Sequence, residues 1–479
     1  MFKTKATSLL AAAAMVIPSL IITPCNAESQ NNSMRDITTM ELVRDMGIGI
    51  NLGNTMEAAG DWIAEYGDGT VRSYETAWGS PEVTEEMIKG MAEEGFGVLR
   101  IPVAWSNLMG DNYTISQDYM SRVQQIVDWT IDADMYAIIN IHWDNGWVNN
   151  FPDNKDENMK RYTRMWEQIC DGFEDYGDHL MFESQNEELG WESIWNPWGS
   201  TDGKAESYAL VNEINQKFVD VVRSSDGNNP ERHLLISGYN TGIDRTCDPL
   251  FKMPADPQNR CAVSVHYYTP AGFAILEDKD ESWAKARSTW GTNDDLNELK
   301  YNLDMMKTNF VDKGIPVIIG EYGCPTKGKE PDSVRLFLST VCKAIYERNM
   351  CPVMWSTPGG HYNRTTYKME DQQLVQQLKA IGARQPDPDK SSQQPAGVWG
   401  DANNNGTVQM NDAVLVMQAI SNADVYGVNG TDKNHITETG EKLADVYDNG
   451  TSGLTNMDAL LIQKYLIHTV TSLTPAGAA

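Results

Sequence analysis

The sequence predicts an α/β chain, a (β/α)8 barrel followed by a small all-α module. Three observations predict it. Short apolar runs alternate with longer amphipathic stretches eight times between residues 47 and 358. The runs end in polar or titratable residues, as the functional face of such a barrel requires. Near residue 385 the composition changes abruptly, and two related segments follow.

The runs are residues 48–53, 98–103, 136–142, 180–187, 233–239, 262–268, 316–323 and 352–358. Continuous apolar runs of this length suit parallel strands buried on both faces. The clearest helical patterns between them are 82–94, 117–132, 157–176, 207–224, 296–312 and 332–348. Ser116 and Asp332 are suited to cap helices, and Pro81 to a first turn. A doubly wound open sheet is the competing topology, but no glycine-rich phosphate loop follows the first run.

The N-terminus reads as a signal peptide over residues 1–27. Lys3 and Lys5 precede a mostly apolar run from Ser8 to Ile22, and Cys25-Asn26-Ala27 offers a small-residue cleavage site. A membrane anchor is the alternative, but the run is short. A lipoprotein would use Cys25, which Pro24 suits poorly. Export is therefore expected. Six cysteines follow: Cys170, Cys247, Cys261, Cys324, Cys342 and Cys351. They form no CxxC pair, which argues against zinc. Cys247 and Cys261 could bridge a loop; buried thiols are the equal alternative. The formal net charge of −29 disfavours nucleic acid and anionic membranes as partners. A neutral polymer needs no opposite charge.

Two runs deliver acids at their carboxyl ends. One is Leu180-Met181-Phe182-Glu183-Ser184-Gln185-Asn186-Glu187-Glu188; the other is Ile315 to Gly323, carrying Glu321. One such acid alone reads more naturally as a solvated group past a strand. Two of them on strand ends suggest acid/base and nucleophile chemistry. The other strand ends offer Asn51, Asn54, Arg100, His142, Trp143, Asn186, Tyr239, Asn240, His266, Tyr268 and Trp355. Singly, Arg100 reads as a structural ion pair and His142 as a satisfied core histidine. Together they describe a polar, aromatic-lined cleft. Trp62, Trp147, Trp191, Trp195 and Trp198 stand in loops as sugar platforms or as packing. Trp129 and Trp166 lie in helical patterns and belong to the core.

Seven motifs then carry a resemblance: Asn51-Leu52-Gly53-Asn54-Thr55, Glu75-Thr76-Ala77-Trp78-Gly79, Arg100-Ile101-Pro102-Val103, Ile141-His142-Trp143, Asn186-Glu187, His266-Tyr267-Tyr268 and Gly320-Glu321-Tyr322-Gly323. Over roughly residues 36–384 the chain resembles glycoside hydrolase family 5, and its subfamily 4 endoglucanases in particular. The resemblance implies a secreted, retaining endo-β-1,4-glucanase with no cofactor in the barrel. It implies Glu321 as nucleophile and Glu187 as acid/base. Arg100 and Tyr268 would hold Glu321, Asn186 would bind a 2-hydroxyl, and Trp355 would stack on a sugar. Asn51, His142 and His266 would complete the polar floor. Glu188 departs from the family, which usually has Pro there. Xyloglucan, mixed-linkage glucan, xylan and mannan are rival substrates. A non-catalytic glycan-binding barrel, or a structural protein that only docks, is the rival class.

Residues 385–396 are rich in Pro, Ser, Gln and Asp and read as a linker, which leaves a barrel domain at 28–384. Residues 397–471 hold an internal repeat in which Asn411-Asp412-Ala413-Val414-Leu415 echoes Met457-Asp458-Ala459-Leu460-Leu461. The segment from Asp401 to Asp412 places oxygen ligands Asp401, Asn403, Asn405 and Asp412 around a glycine at the sixth position. Thr407 lies where a backbone carbonyl serves. The second copy runs from Asp445 to Asp458 with two extra residues. Those are its firmest ligands, with Asp448, Asn449 and Thr451 as further candidates. The repeat resembles dockerin modules. The resemblance implies calcium, a cohesin partner read near Asn411 and Met457, and a monomer apart from scaffold docking in a cellulosome.

Overall fold

The computed structural model describes residues 34–382, 398–404, 407–447, 453–467, 469–470 and 473. The expected signal segment and linker lie outside the described residues. Chain contacts divide the molecule into two compact units, residues 1–383 and 384–479.

Eight parallel strands close the first unit into a barrel in sequence order. They are β1 Gly49–Asn51, β2 Val98–Ile101, β3 Tyr136–Asn140, β4 Leu180–Glu183, β5 Leu234–Ser237, β6 Cys261–Tyr267, β7 Val317–Tyr322 and β8 Cys351–Met354. The barrel interior holds Val98, Tyr136, Ile138, Met181, Leu235, Ile318 and Val353, all completely buried. The helix Thr39–Asp45 adds Leu42 and Val43 to that cluster, with Met46 just beyond it. A Thr38–Glu41 capping box starts this helix.

A second apolar layer joins the strands to the surrounding helices. Trp166, on helix Lys155–Gly172, packs edge-on against Phe218 at 4.5 Å and against Phe182 of β4 at 5.6 Å. It is fully buried, so Trp166→Ala costs about 3–5 kcal/mol. Trp129 is only partly buried, with the Arg122 guanidinium over its ring.

Six of the surrounding helices fall on the predicted patterns. The first begins at Glu85 with Thr84 as its cap, so Pro81 lies before it rather than in its first turn. Ser116 caps Gln117–Asp132 as its position predicts. Asp332 sits inside the first turn of Pro331–Tyr346, because Pro331 occupies the first helical position and Glu330 the cap. Other helices of this unit matched none of the predicted patterns, among them the single turn Ile243–Thr246 and the glutamine-rich Gln372–Gly382. Of the two alternatives left open for Cys247 and Cys261, the free thiols hold: all six cysteines from Cys170 to Cys351 are unbridged.

The second unit builds a small core from Ala413, Leu415, Val416 and Ala419 of helix Met410–Ser421 and Ala459 and Ile462 of Asn456–Leu466. Helix Glu438–Ala444 contributes Ala444. Val414, Met417 and Leu460 stay exposed.

Candidate active site

Strand register brings the polar residues together. Asn51 lies beside Arg100, Asn140 beside Glu183, and His266 beside Glu321. The last pair follows a register shift between Val265 and His266. Such an irregularity turns side chains that would otherwise follow the regular alternation.

Arg100 is completely buried and organises the floor. Its guanidinium donates to Glu183 at 2.7 Å, Glu321 at 2.8 Å, Asn186 Oδ1 at 2.9 Å and Asn51 Oδ1 at 3.0 Å. The planar fork of Arg suits four acceptors converging from different strands. Asn51 also donates to the carbonyl of Gly320, immediately before Glu321, at 2.9 Å. Tyr268 donates its hydroxyl to Glu321 Oε2 at 2.8 Å. Burial, and then the charge of Glu321, hold the Tyr268 phenol well above its ordinary range, so it remains a donor.

Glu187 Oε1 and His266 Nδ1 are 2.7 Å apart, and His266 Nδ1 lies 3.6 Å from Glu321 Oε2. Glu187, His266 and Glu321 each place one donor atom within 4.8 Å of the others. Two carboxyl groups this close suit direct displacement by one of them. A water inserted between them needs about 6.5–9.5 Å.

The three groups share their charge. Burial raises Glu321, and the charges of His266 and Arg100 only partly offset it. Burial raises Glu187 too, but the hydrogen bond and charge of His266 outweigh it and leave Glu187 below the ordinary carboxylate range. Burial lowers His266, yet the charges of Glu321 and Glu187 carry it above its ordinary range. His142 behaves oppositely. Burial, then the charges of Arg100 and His266, hold it well below its ordinary range, so it is neutral. Its ring lies parallel to Trp355, with centroids 6.1 Å apart. Trp355 can lie there because Gly53 has no side chain. A Cβ at Gly53 would come 2.8 Å from the indole.

Above this floor opens a cleft of about 710 Å³, lined by His142, Asn186, Glu187, Tyr268, Glu321 and Trp355. Asn51, Arg100 and His266 lie beneath it as support. The sequence reading missed Glu183, which is fully buried and accepts from Arg100, from Asn140 at 2.9 Å and from Ser264 at 2.7 Å. An acid set directly after Leu-Met-Phe within a buried strand was its signal. Glu188 turns partly inward: one carboxylate oxygen is buried without a hydrogen-bond partner. Its carboxyl is pushed up to about 7, first by burial and then by the charge of Glu187.

The loop tryptophans divide. Trp147, Trp191 and Trp195 are buried, and their indole N–H groups donate to Asp144, Val148 O and Ser200 O. They are packing, not platforms. Trp62 and Trp198 are exposed, Trp198 by 77%.

A separate acidic site lies in the second unit. Asp401, Asp412 and Asp458 are completely buried. Asp412 accepts from the N–H groups of Asn403 at 3.0 Å and Gln409 at 2.7 Å. Burial above all raises its pKa, and the charge of Asp401 adds to that. Asp458 accepts from the N–H groups of Val446, Tyr447 and Thr455. Asp445 Oδ2 accepts from Gly453 N at 2.8 Å, while its Oδ1 is buried without a hydrogen-bond partner. Buried carboxylates with an orphaned oxygen fit a hard, oxygen-liganded cation. Asn403 and Thr407 are exposed; Asn405, Asp448, Asn449 and Thr451 lie outside the described residues.

Residues 56–359 match the family described as cellulase, glycosyl hydrolase family 5. The chain is 34% identical over 346 residues to a xyloglucan-specific endo-β-1,4-glucanase of Bacteroides ovatus, covering 68% of this chain and 66% of that one. It is 34% identical over 333 residues to the cellulase/esterase CelE of Acetivibrio thermocellus, covering 69% of this chain but 37% of that one. The match thus spans just under two thirds of the first relative and little over a third of the second. Among solved structures, a GH5-4 broad-specificity endoglucanase from an uncultured bovine rumen ciliate superposes with a TM-score of 0.66 at 36% identity. That comparison covers 72% of this chain and 98% of the other. A match across most of the barrel, with a third of its residues shared, places the chain in a known lineage: it belongs to glycoside hydrolase family 5.

Proposed function

We propose that the chain is a retaining endo-β-1,4-glucanase that cleaves internal bonds of cellulose and related β-glucans by double displacement. The observation that carries this is the separation of Glu187 and Glu321 within 4.8 Å, with His266 between them. Glu321, oriented by Arg100 and Tyr268, attacks the anomeric carbon and forms a glycosyl ester. Glu187 gives its proton to the departing oxygen. The pair Glu187–His266 shares one hydrogen bond of 2.7 Å. Transfer of the proton from Nδ1 to Oε1 therefore turns the resting ion pair into a neutral acid and a neutral imidazole. In the second step the Glu187 carboxylate takes a proton from water, the hydroxyl adds to the anomeric carbon, and Glu321 leaves. Asn186, fixed by Arg100, faces the cleft to bind a sugar hydroxyl, and Trp355 offers its ring to a C–H face.

The test is hydrolysis of cellulose, xyloglucan, mixed-linkage glucan, xylan and mannan, with the fresh anomer read by proton NMR. A β-anomer from a glucan is expected, and the relative rates rank the substrates. Glu187→Gln and Glu321→Gln should each lower kcat by about 10³-fold or more. An α-anomer formed first, or near-wild-type rates in both variants, would sink the mechanism.

The residue pattern supports a further reading. Residues 1–27 would direct export, and residues 397–471 would form a dockerin that binds calcium and docks on a cohesin module of a scaffold. Asp401, Asp412, Asp445 and Asp458 are the described residues that would hold calcium, with Asn403 and Thr407 beside the first loop. Calcium would neutralise these carboxylates and tie each loop to its helix. Met410, Val414, Met417, Met457 and Leu460 are exposed and would supply apolar contact to the partner. Pull-down of the full chain by cohesin modules, with and without chelator, tests it. Failure to bind any cohesin at saturating calcium would reject the docking role.

A further inference from the structure

Five tryptophans lie in or next to the loops after β3 and β4: Trp147, Trp191 and Trp195 are buried, Trp143 is 38% exposed, and Trp198, at 77%, is the most exposed of them. Trp195 anchors the loop after β4, buried against Tyr208 and Tyr239 at 5.7 and 5.6 Å. Three residues on, Trp198 projects into solvent with the Arg245 guanidinium 5.3 Å from its ring centroid. Arg245 donates to Asn240 Oδ1 at 3.0 Å. The Asn240 amide in turn donates to the carbonyls of Glu187 at 2.9 Å and Gly190 at 3.1 Å. A Cβ at Gly190 would come 2.6 Å from Asn240 Oδ1, so this approach is possible only for glycine. The exposed ring is thus tied to the main chain of Glu187 through a guanidinium and one amide.

Its side of the barrel matters. The walls of the cleft with Trp355 come from the loops after β6, β7 and β8, while His142, Asn186 and Glu187 line it from the ends of β3 and β4. Trp198 and Arg245 belong to the loops after β4 and β5, across Glu187. Because Glu187 protonates the departing oxygen, the departing chain must leave on Glu187's side. Arg245 covers one face of the indole by cation–π contact and leaves the other open, as stacking on a neutral sugar requires.

We propose that Trp198, backed by Arg245, is the platform for a glucosyl unit of the departing chain, beyond the one that receives the proton. This rests on the glucanase reading above. The experiment compares the wild type with Trp198→Ala, Trp198→Phe and Arg245→Gln in the full chain. Each is assayed on cellohexaose and on an aryl β-cellotrioside, whose chromophore cannot reach beyond the first departing position. For Trp198→Ala, KM on cellohexaose should rise about tenfold with the aryl substrate unaffected. Trp198→Phe should recover most of the loss, and Arg245→Gln should show a smaller loss of the same kind. Equal losses on both substrates, or none on cellohexaose, would overturn the platform. If the wild type cleaves neither substrate, the glucanase reading itself fails and this assignment with it.

Discussion

The two units bury carboxylates in opposite ways. In the barrel, Glu183 and Glu321 share one guanidinium, that of Arg100, at 2.7 and 2.8 Å. In the second unit, the described contacts to Asp412 and Asp458 come from backbone N–H groups and the Thr455 hydroxyl. Those donors orient a carboxylate without cancelling its charge. The barrel therefore carries its countercharge within the fold. The second unit is built as if its countercharge came from outside. A buried charge stripped of its partner is far costlier than one never buried. The two units should thus respond oppositely to loss of an internal cation and loss of an external one.

The largest effect is expected where the internal cation is removed. Arg100→Met leaves Glu183 and Glu321 buried without a guanidinium and should cost the barrel about 3–5 kcal/mol. It should also lower kcat by at least about 10²-fold, since Glu321 loses its orientation. Urea denaturation and glucan hydrolysis read the two effects. Glu183→Gln keeps the shape while removing one of the two anions, so its activity loss should be smaller. If Arg100→Met kept wild-type stability, the barrel's charge would be balanced elsewhere and the contrast with the second unit would collapse.

The next effect is expected only in the second unit. Adding calcium at about one hundred times its dissociation constant should stabilise that unit by about 2.7 kcal/mol. The barrel's unfolding transition and hydrolysis of a soluble glucan should not move. Asp412→Ala should remove the response of the first loop. Calorimetry of the full chain, with chelator and with calcium, resolves the two transitions. A barrel transition that shifted with calcium, or a second transition that did not, would break the comparison.

This contrast also sorts what was legible in the sequence. The eight strands were readable because a parallel strand buried on both faces is a continuous apolar run. Glu187, Glu321 and Arg100 were readable because each ends or interrupts such a run. Glu183 escaped because an acid four residues before Glu187 in the same run reads as part of its polar end. Only the register that sets Asn140 beside Glu183 shows that it faces inward. The shift between Val265 and His266 has no local signature, so the bridging position of His266 between the two acids was not derivable. Trp147, Trp191 and Trp195 read equally as platforms or as packing, because aromatic loops of either kind have the same composition. Their donated N–H bonds separate the two. The short helix Ile243–Thr246 has too few residues for a period to be visible.

Glu188 tests the smallest difference, a carboxyl that the barrel leaves without a cation of its own. In the unfolded chain it titrates near its ordinary 4.5, and in the fold it is pushed up to about 7 by burial and then by Glu187. Between these values the folded protein binds the extra proton, so stability falls as pH rises through that window. Glu188→Gln removes the dependence. Variant and wild type should match below about pH 4.5. Above about pH 7 the variant should be more stable by on the order of 1–3 kcal/mol, the lower end reflecting screening by water. Activity should move the other way. The Glu188 anion disfavours loss of the proton that Glu187 and His266 share. Without it, the alkaline limb of kcat/KM should shift to lower pH by a fraction of a unit. Chemical denaturation at several pH values, beside a pH–rate profile, measures both. An unchanged alkaline limb with no pH-dependent gain in stability would mean that Glu188 is solvated like an ordinary surface acid. Glu187 and Glu321 would then have no neighbouring buried carboxylate that lacks its own cation.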